Sequence, residues 1–348
     1  MNGRILSVAT AVPPYELDQD DVTRRVRLAL GPRSSQIMRL LPLFANTGIE
    51  RRYSCVPIEW YEATHDWPER NRIYLESALG LFEEAARQAL ARAGRRPEEI
   101  DAIVAVSTTG IATPSLDALL MERMGLRRDV ARLPVFGLGC AGGTIGLARA
   151  ATMAAARPGS LVLFLVVELC ALSFRRDDFS KSNIVATALF GDGAAAALLC
   201  TDGDGVEVVA SGEHTWPDSL DVMGWEVTGD GFKAIFSRDI PDLIAREMRD
   251  VARAFLCERG LTFADVDRFV CHPGGAKVVS ALELAFEQEP GSLIESREAL
   301  RDYGNMSAAT VLFVLDRVLA ERRERPWKHA LMTSLGPGFT AGFTLLHA

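Results

Sequence analysis

Residues 135–150 read Val135-Phe136-Gly137-Leu138-Gly139-Cys140-Ala141-Gly142-Gly143-Thr144-Ile145-Gly146-Leu147-Ala148-Arg149-Ala150. The apolar run Leu133 to Phe136 predicts a buried strand, a Gly-Leu-Gly turn breaks it, and Cys140 then opens a helix almost free of charge. A thiol at a helix N-terminus meets the positive end of the helix dipole, which favours the thiolate. The glycines beside it let backbone or a substrate come close. A buried cysteine acting as a small hydrophobe is the commoner occurrence, so the meaning of Cys140 depends on what the rest of the chain brings to it.

The chain has 348 residues and 48% hydrophobic content, enough for one large core or two fused domains. Its net charge of -8, with no sustained basic block, argues against nucleic acid as a partner. No apolar run reaches the roughly 18 uncharged residues of a membrane span. The opening Met1-Asn2-Gly3-Arg4-Ile5-Leu6 has no signal-peptide pattern. The six cysteines are scattered without CxxC pairs, which argues against zinc or a disulfide framework and suggests a reducing, cytoplasmic setting.

Residues 4–13 predict a strand, 18–47 amphipathic helix with polar breaks, and Tyr53 to Asn71 a surface arm rich in aromatics and prolines. From Tyr74 to Ala93 apolar residues recur at three and four, an amphipathic helix stopped by Gly94. Ile103 to Ser107 and Leu161 to Val167 are buried strands, and Gly193 to Leu199 and Val206 to Ala210 join the same sheet. The turn Thr201-Asp202-Gly203-Asp204-Gly205 divides the chain into halves, 1–204 and 205–348. In the second half Phe269-Val270-Cys271 is a short strand ending at His272-Pro273-Gly274-Gly275, and Gly304-Asn305-Met306-Ser307 opens a long apolar helix.

The halves repeat one another. Ser107, at a strand end, precedes Cys140 by 33 residues, and His272, at a strand end, precedes Asn305 by the same 33. Phe190-Gly191-Asp192-Gly193-Ala194-Ala195-Ala196 has its counterpart in Leu335-Gly336-Pro337-Gly338-Phe339-Thr340-Ala341. Two βα halves related by a pseudo-twofold axis would bring Cys140 and Asn305 together at the centre, with His272 beside them. The first half carries about twenty extra residues around Cys170 to Val185 that could line a pocket. A cysteine nucleophile needs a base or cation nearby. Of five histidines, only His272 ends a buried strand; of five asparagines, only Asn305 starts an apolar helix. A structural histidine and a helix-capping asparagine are the competing roles. An amide and an imidazole aimed at one point make an oxyanion hole.

Gly139-Cys140-Ala141-Gly142-Gly143, Phe190 to Ala196, His272-Pro273-Gly274-Gly275, Gly304-Asn305-Met306-Ser307 and Gly336-Pro337-Gly338 together resemble the type III polyketide synthases, the chalcone synthase-like branch of the thiolase superfamily. The resemblance runs from about residue 4 to 346. It implies an α/β thiolase fold whose two halves form a five-layered αβαβα core, a homodimer, CoA thioesters as substrates, and no metal or organic cofactor. It implies that Cys140 carries the acyl group, that His272 holds Cys140 as thiolate, and that His272 and Asn305 bind the malonyl thioester carbonyl and the enolate left by decarboxylation. It assigns pocket positions to Phe190, Cys170, Ser173, Gly224, Ser307 and Thr113, with Thr113 crossing a dimer interface. Phe190 falls on one gatekeeper phenylalanine, and a second gatekeeper position falls at Ala234. CoA binding is assigned to Lys277, Arg39, Gly274 and Gly275.

Gly48 to Tyr53, Glu59-Trp60-Tyr61, Thr108 to Ser115 and Met223-Gly224-Trp225 resemble bacterial alkylpyrone and alkylresorcinol synthases. That resemblance implies a long fatty acyl starter extended with malonyl-CoA. The alternatives are a malonyl-primed synthase of a naphthalene polyol and a ketoacyl synthase III-like enzyme. A thiolase-fold partner without chemistry is a third, and it would be expected to lack the cysteine or the histidine.

Overall fold

The computed structural model describes residues 1–30, 35–237 and 239–348. The first half runs β1 (Arg4–Ala11), β2 (Tyr15–Asp18), α1 (Gln19–Leu30), α2 (Ser35–Leu40), α3 (Pro42–Ala45), β3 (Arg51–Ser54) and α4 (Trp67–Ala93). It continues with β4 (Ile100–Val106), α5 (Leu116–Met124), β5 (Ala131–Val135), α6 (Gly142–Ala156), β6 (Leu161–Leu169), α7 (Lys181–Leu189) and β7 (Asp192–Cys200). The second half runs β8 (Val206–Thr215), β9 (Met223–Thr228), β10 (Gly231–Phe236), α8 (Ile240–Leu243), α9 (Arg249–Cys257) and β11 (Arg268–Cys271). It ends with α10 (Ala276–Ala285), α11 (Ile294–Tyr303), α12 (Thr310–Ala320), β12 (His329–Gly336) and β13 (Thr340–His347).

Nine strands line up in the order β11-β12-β13-β8-β1-β7-β6-β4-β5. At the centre β1 and β8 meet only through Arg4–Glu207 and Ile5–Val206, so the sheet parts into a five-stranded and a four-stranded leaf. The leaves have matching pairings: β4 is parallel to β6 and β6 antiparallel to β7, as β11 is parallel to β12 and β12 antiparallel to β13. Both faces of each leaf are covered, and period-two alternation decides which residue goes where. In β6, Val162, Phe164 and Val166 join a central core with α6 and α12, while Leu161, Leu163, Leu165 and Val167 face α4 and α5. In the second leaf Ala330 and Met332 of β12 enter the same central core, and Leu331 and Leu335 face the outer helices α9 and α10. Strands buried on both faces explain why β6 and β7 read as unbroken apolar runs. The resulting layers alternate α, β, α, β, α, with the repeat-related helices α6 and α12 in the middle.

Two local expectations change. The arm expected to reach Asn71 ends earlier, because Asp66 caps α4 by accepting from the Glu69 N–H at 2.9 Å and Pro68 suits the first turn. The strand before Cys140 forms, but it is an edge strand rather than a buried one: Leu133 is 36% and Phe136 60% exposed. Only β4 flanks it, so it keeps one open edge. Among the described residues no helix is long and apolar enough to cross a membrane.

Candidate active site

Cys140 sits in a single tight turn, Gly139–Ala141, just ahead of α6. The first half holds that turn through a relay: Gly139 N–H donates to Thr108 Oγ1 at 3.3 Å, and Thr108 N–H donates to Glu168 Oε2 at 3.0 Å. The second half closes on it from the end of β12. A Cβ on Gly336 would lie 2.4 Å from the Leu138 carbonyl oxygen and 2.7 Å from the Ala141 nitrogen, so only glycine fits. The repeat-related helix starts touch as well, since a Cβ on Gly143 would lie 2.2 Å from the Ala308 carbonyl oxygen.

His272 follows β11, its backbone N–H donating to Thr333 O at 2.9 Å. Asn305 pairs with the stretch before β7: its N–H donates to Leu189 O at 2.8 Å, and Gly191 N–H donates to Asn305 O at 3.0 Å. Its side chain is held at both ends, with Nδ2 donating to Gly274 O at 3.2 Å and Oδ1 accepting from Ser307 N–H at 2.8 Å. That last bond goes with an unusual backbone, for Ser307 has φ +47°, a conformation that costs on the order of 1–3 kcal/mol outside glycine. Cys140, His272 and Asn305, from three separate stretches, line one cavity of about 560 Å³. All three are nearly inaccessible. Neither ring nitrogen of His272 has a hydrogen-bond partner among the described residues, which leaves both available to a ligand.

The electrostatics depart from the sequence expectation. Burial pushes the Cys140 thiol up to about 12, with the Ser307 hydroxyl pulling the other way and Glu168 adding to the rise. Cys140 is buried in the turn before α6, so desolvation opposes the charge that the helix dipole favours. Burial also pushes the His272 imidazole down to about 4 and the Glu168 carboxyl up to about 8, the latter against the pull of the Thr108 and Thr109 donors. Each group taken singly is thus driven toward its neutral form.

The remaining expected pocket residues divide between two cavities. Gly274, Gly275 and Lys277 line the one with Cys140. Phe190, Cys170 and Ser173 line a second cavity, of about 370 Å³, whose wall is otherwise mostly apolar. Leu189, the last residue of α7, lines the first cavity, and Phe190, where the chain leaves the helix in extended backbone, lines the second. Ser307 is buried beside Asn305. Ala234 packs against Cys170 and Phe190 without lining either cavity. Two residues further along the same face of β10, Phe236 lines the Cys140 cavity and stacks edge-on against Phe190, with ring centroids 5.5 Å apart. An aromatic pair therefore does stand at this boundary, supplied by Phe236 rather than by position 234. Gly224 lines neither cavity; its neighbours do the contacting, Met223 on the Cys140 cavity and Trp225 against Phe190. Arg39 is exposed on α2 and Thr113 is exposed after β4, and neither lines these cavities.

Sequence reasoning missed Glu168, Lys181 and Phe236. Glu168 is the one charged residue of β6, next to its last residue, and a lone carboxylate there was the available signal. Lys181 starts α7 and lines the Cys140 cavity with Lys277.

Comparison with known proteins gives a consistent result. The sequence pattern of chalcone and stilbene synthases, N-terminal domain, matches residues 3–203, and that of their C-terminal domain matches residues 207–348. The 1,3,6,8-tetrahydroxynaphthalene synthase of Streptomyces peucetius subsp. caesius is 39% identical, over 98% of this chain and 92% of that protein. The 3,5-dihydroxyphenylacetyl-CoA synthase of Streptomyces toyocaensis is 29% identical, over 97% of this chain and 88% of that protein. Among solved structures, the 1,3,6,8-tetrahydroxynaphthalene synthase of Streptomyces coelicolor A3(2), a bacterial type III polyketide synthase, superposes with a TM-score of 0.94 at 28% identity, covering 99% of both chains.

Proposed function

Because the chain belongs to the chalcone and stilbene synthase family, and is a type III polyketide synthase with the thiolase fold, we propose that it condenses a fatty acyl starter with malonyl units on Cys140. Such enzymes are decarboxylating acyltransferases that work on CoA thioesters. In the proposed cycle Cys140 Sγ passes its proton to His272, which creates an ion pair in place of one isolated buried charge. The thiolate attacks the starter thioester and CoA leaves as its thiol. A malonyl thioester then binds with its carbonyl oxygen toward His272 and Asn305 Nδ2. Loss of carbon dioxide leaves an enolate whose oxygen those two donors stabilise, most strongly in the transition state. The enolate carbon attacks the Cys140 thioester, the C–S bond breaks, and the thiolate is regenerated. Lys181, Lys277, Gly274 and Gly275, which line this cavity, are suited to its CoA side.

The observation that carries the fatty acyl starter is the second, mostly apolar cavity lined by Phe190. Each methylene buried there would contribute about 0.8 kcal/mol. Chain-length profiling of acyl-CoA starters with the purified enzyme tests it, with Ala186→Phe, which fills the second cavity, as the matched variant. The expected result is alkylpyrone or alkylresorcinol products from long starters, with turnover of dodecanoyl-CoA falling at least about tenfold in the variant and short starters spared. The second reading is a malonyl-primed naphthalene polyol synthase, favoured by the names of the Streptomyces relatives. Products from malonyl-CoA alone, whatever starter is offered, would establish it instead.

A further inference from the structure

The cavity beyond Phe190 is apolar along β2 and α1, with Leu17, Val22 and Val26, yet it holds arginine donors that no described residue uses. Arg52 is 2% exposed. Its Nη1 donates to Phe190 O at 2.9 Å, while Nε and Nη2 have no hydrogen-bond partner among the described residues. Arg176 lines the same cavity, and its buried Nε is also without a partner among them. Arg25, the third arginine on this wall, is already engaged by Glu59 at 2.9 Å and by Glu62 at 2.5 Å. Asp192 is the carboxylate whose charge Arg52 feels, but its oxygens are taken by the N–H groups of Cys55 at 2.9 Å and Ala171 at 2.8 Å. Guanidinium donors left free in an apolar chamber carry a desolvation cost that an acceptor would remove, and a carboxylate matches their fork geometry.

We infer that this cavity binds a carboxylate carried on a short apolar chain, its oxygens on Arg52 and Arg176 and its methylenes along α1. The same chemistry has two sources: a free carboxylic acid, or the far end of an acyl group held on Cys140. Only the second source rests on the proposed function. Calorimetric titration of the whole protein with octanoate and with octanol, in the absence of any CoA thioester, examines the first. The matched starters octanoyl-CoA and octanedioyl mono-CoA, compared by kcat/KM, examine the second. The expected result is a preference of at least about tenfold for the carboxylate in one arm or both, lost in Arg176→Leu and in Arg52→Gln. Arg176 is only partly buried, so its variant serves even if the Arg52 variant does not fold. Absence of a preference in both arms overturns the inference, as does a preference that survives Arg176→Leu. If the protein proves to have no condensing activity, the octanoate titration is still readable, so the two proposals fail separately.

Discussion

Cys140 and His272 are each buried, and burial alone opposes a charge on either. The proposed chemistry makes them titrate as a pair. Removing the imidazole takes away the proton acceptor and leaves the Ser307 hydroxyl and the backbone against burial on the thiol. In His272→Ala the pH at which iodoacetamide reactivity of Cys140 develops therefore moves upward by more than about one unit, and an unchanged profile would remove His272 from that role. Asn305→Ala takes away one oxyanion donor, and a fall of about 10²–10³ in malonyl-CoA decarboxylation is expected in a product-release assay. Glu168 offers a test by stability. Its folded-state value, about 8, lies above the ordinary carboxylate value, so the folded protein binds more protons than the unfolded chain across that interval. Its contribution accordingly favours folding at low pH and is lost as pH rises from about 4.5 toward 8. Thermal melts at pH 5 and pH 8 should show a smaller difference for Glu168→Gln than for the wild type; an equal difference would mean that Glu168 is ionised in the folded state.

At the scale of elements, the site depends on two stretches from opposite halves meeting without side chains between them. Gly336→Ala would push a Cβ into the backbone of the Cys140 turn, an overpacking that costs about 1–3 kcal/mol. Reduced thermal stability and loss of acyl loading should appear together in that variant, and a variant with normal loading would show that the turn can yield. The 33-residue spacing of Ser107 to Cys140 and of His272 to Asn305 was legible in the sequence because strand ends and helix starts carry composition signals. The leaves that hold them were legible because doubly buried strands are uniformly apolar. What was not legible was the side of the Phe190 boundary to which a side chain opens. Alternation gives a face, yet two cavities share the boundary around Phe190, so the sequence did not show that Cys170 and Ser173 open onto a cavity other than the one Cys140 lines. The same limit hid Phe236: sequence position selected Ala234, while the strand's period of two lets its neighbour two residues on reach the same face. The burial that opposes the thiolate was not legible for a different reason, since a dipole can be inferred from a helix start but desolvation depends on what packs over it.

Among the described residues, large apolar side chains stand exposed near the open edge of the nine-stranded sheet. Leu133 and Phe136, around the edge strand β5, are exposed beside its open edge, and Ile111 in the loop after β4 is exposed as well. Proteins normally cover or charge such an edge. A second copy of the chain is expected there, and Phe136→Asp should convert dimers to monomers in sedimentation velocity; a wild-type monomer would refute the expectation. In the proposed cycle Cys140 carries the growing chain, and intact-protein and peptide mass spectrometry after mixing with a starter acyl-CoA tests this most directly. The expected result is a mass gain of one acyl group on the peptide containing Cys140, discharged into product on adding malonyl-CoA and absent in Cys140→Ala. Acylation elsewhere, or product formation by Cys140→Ala, would contradict it.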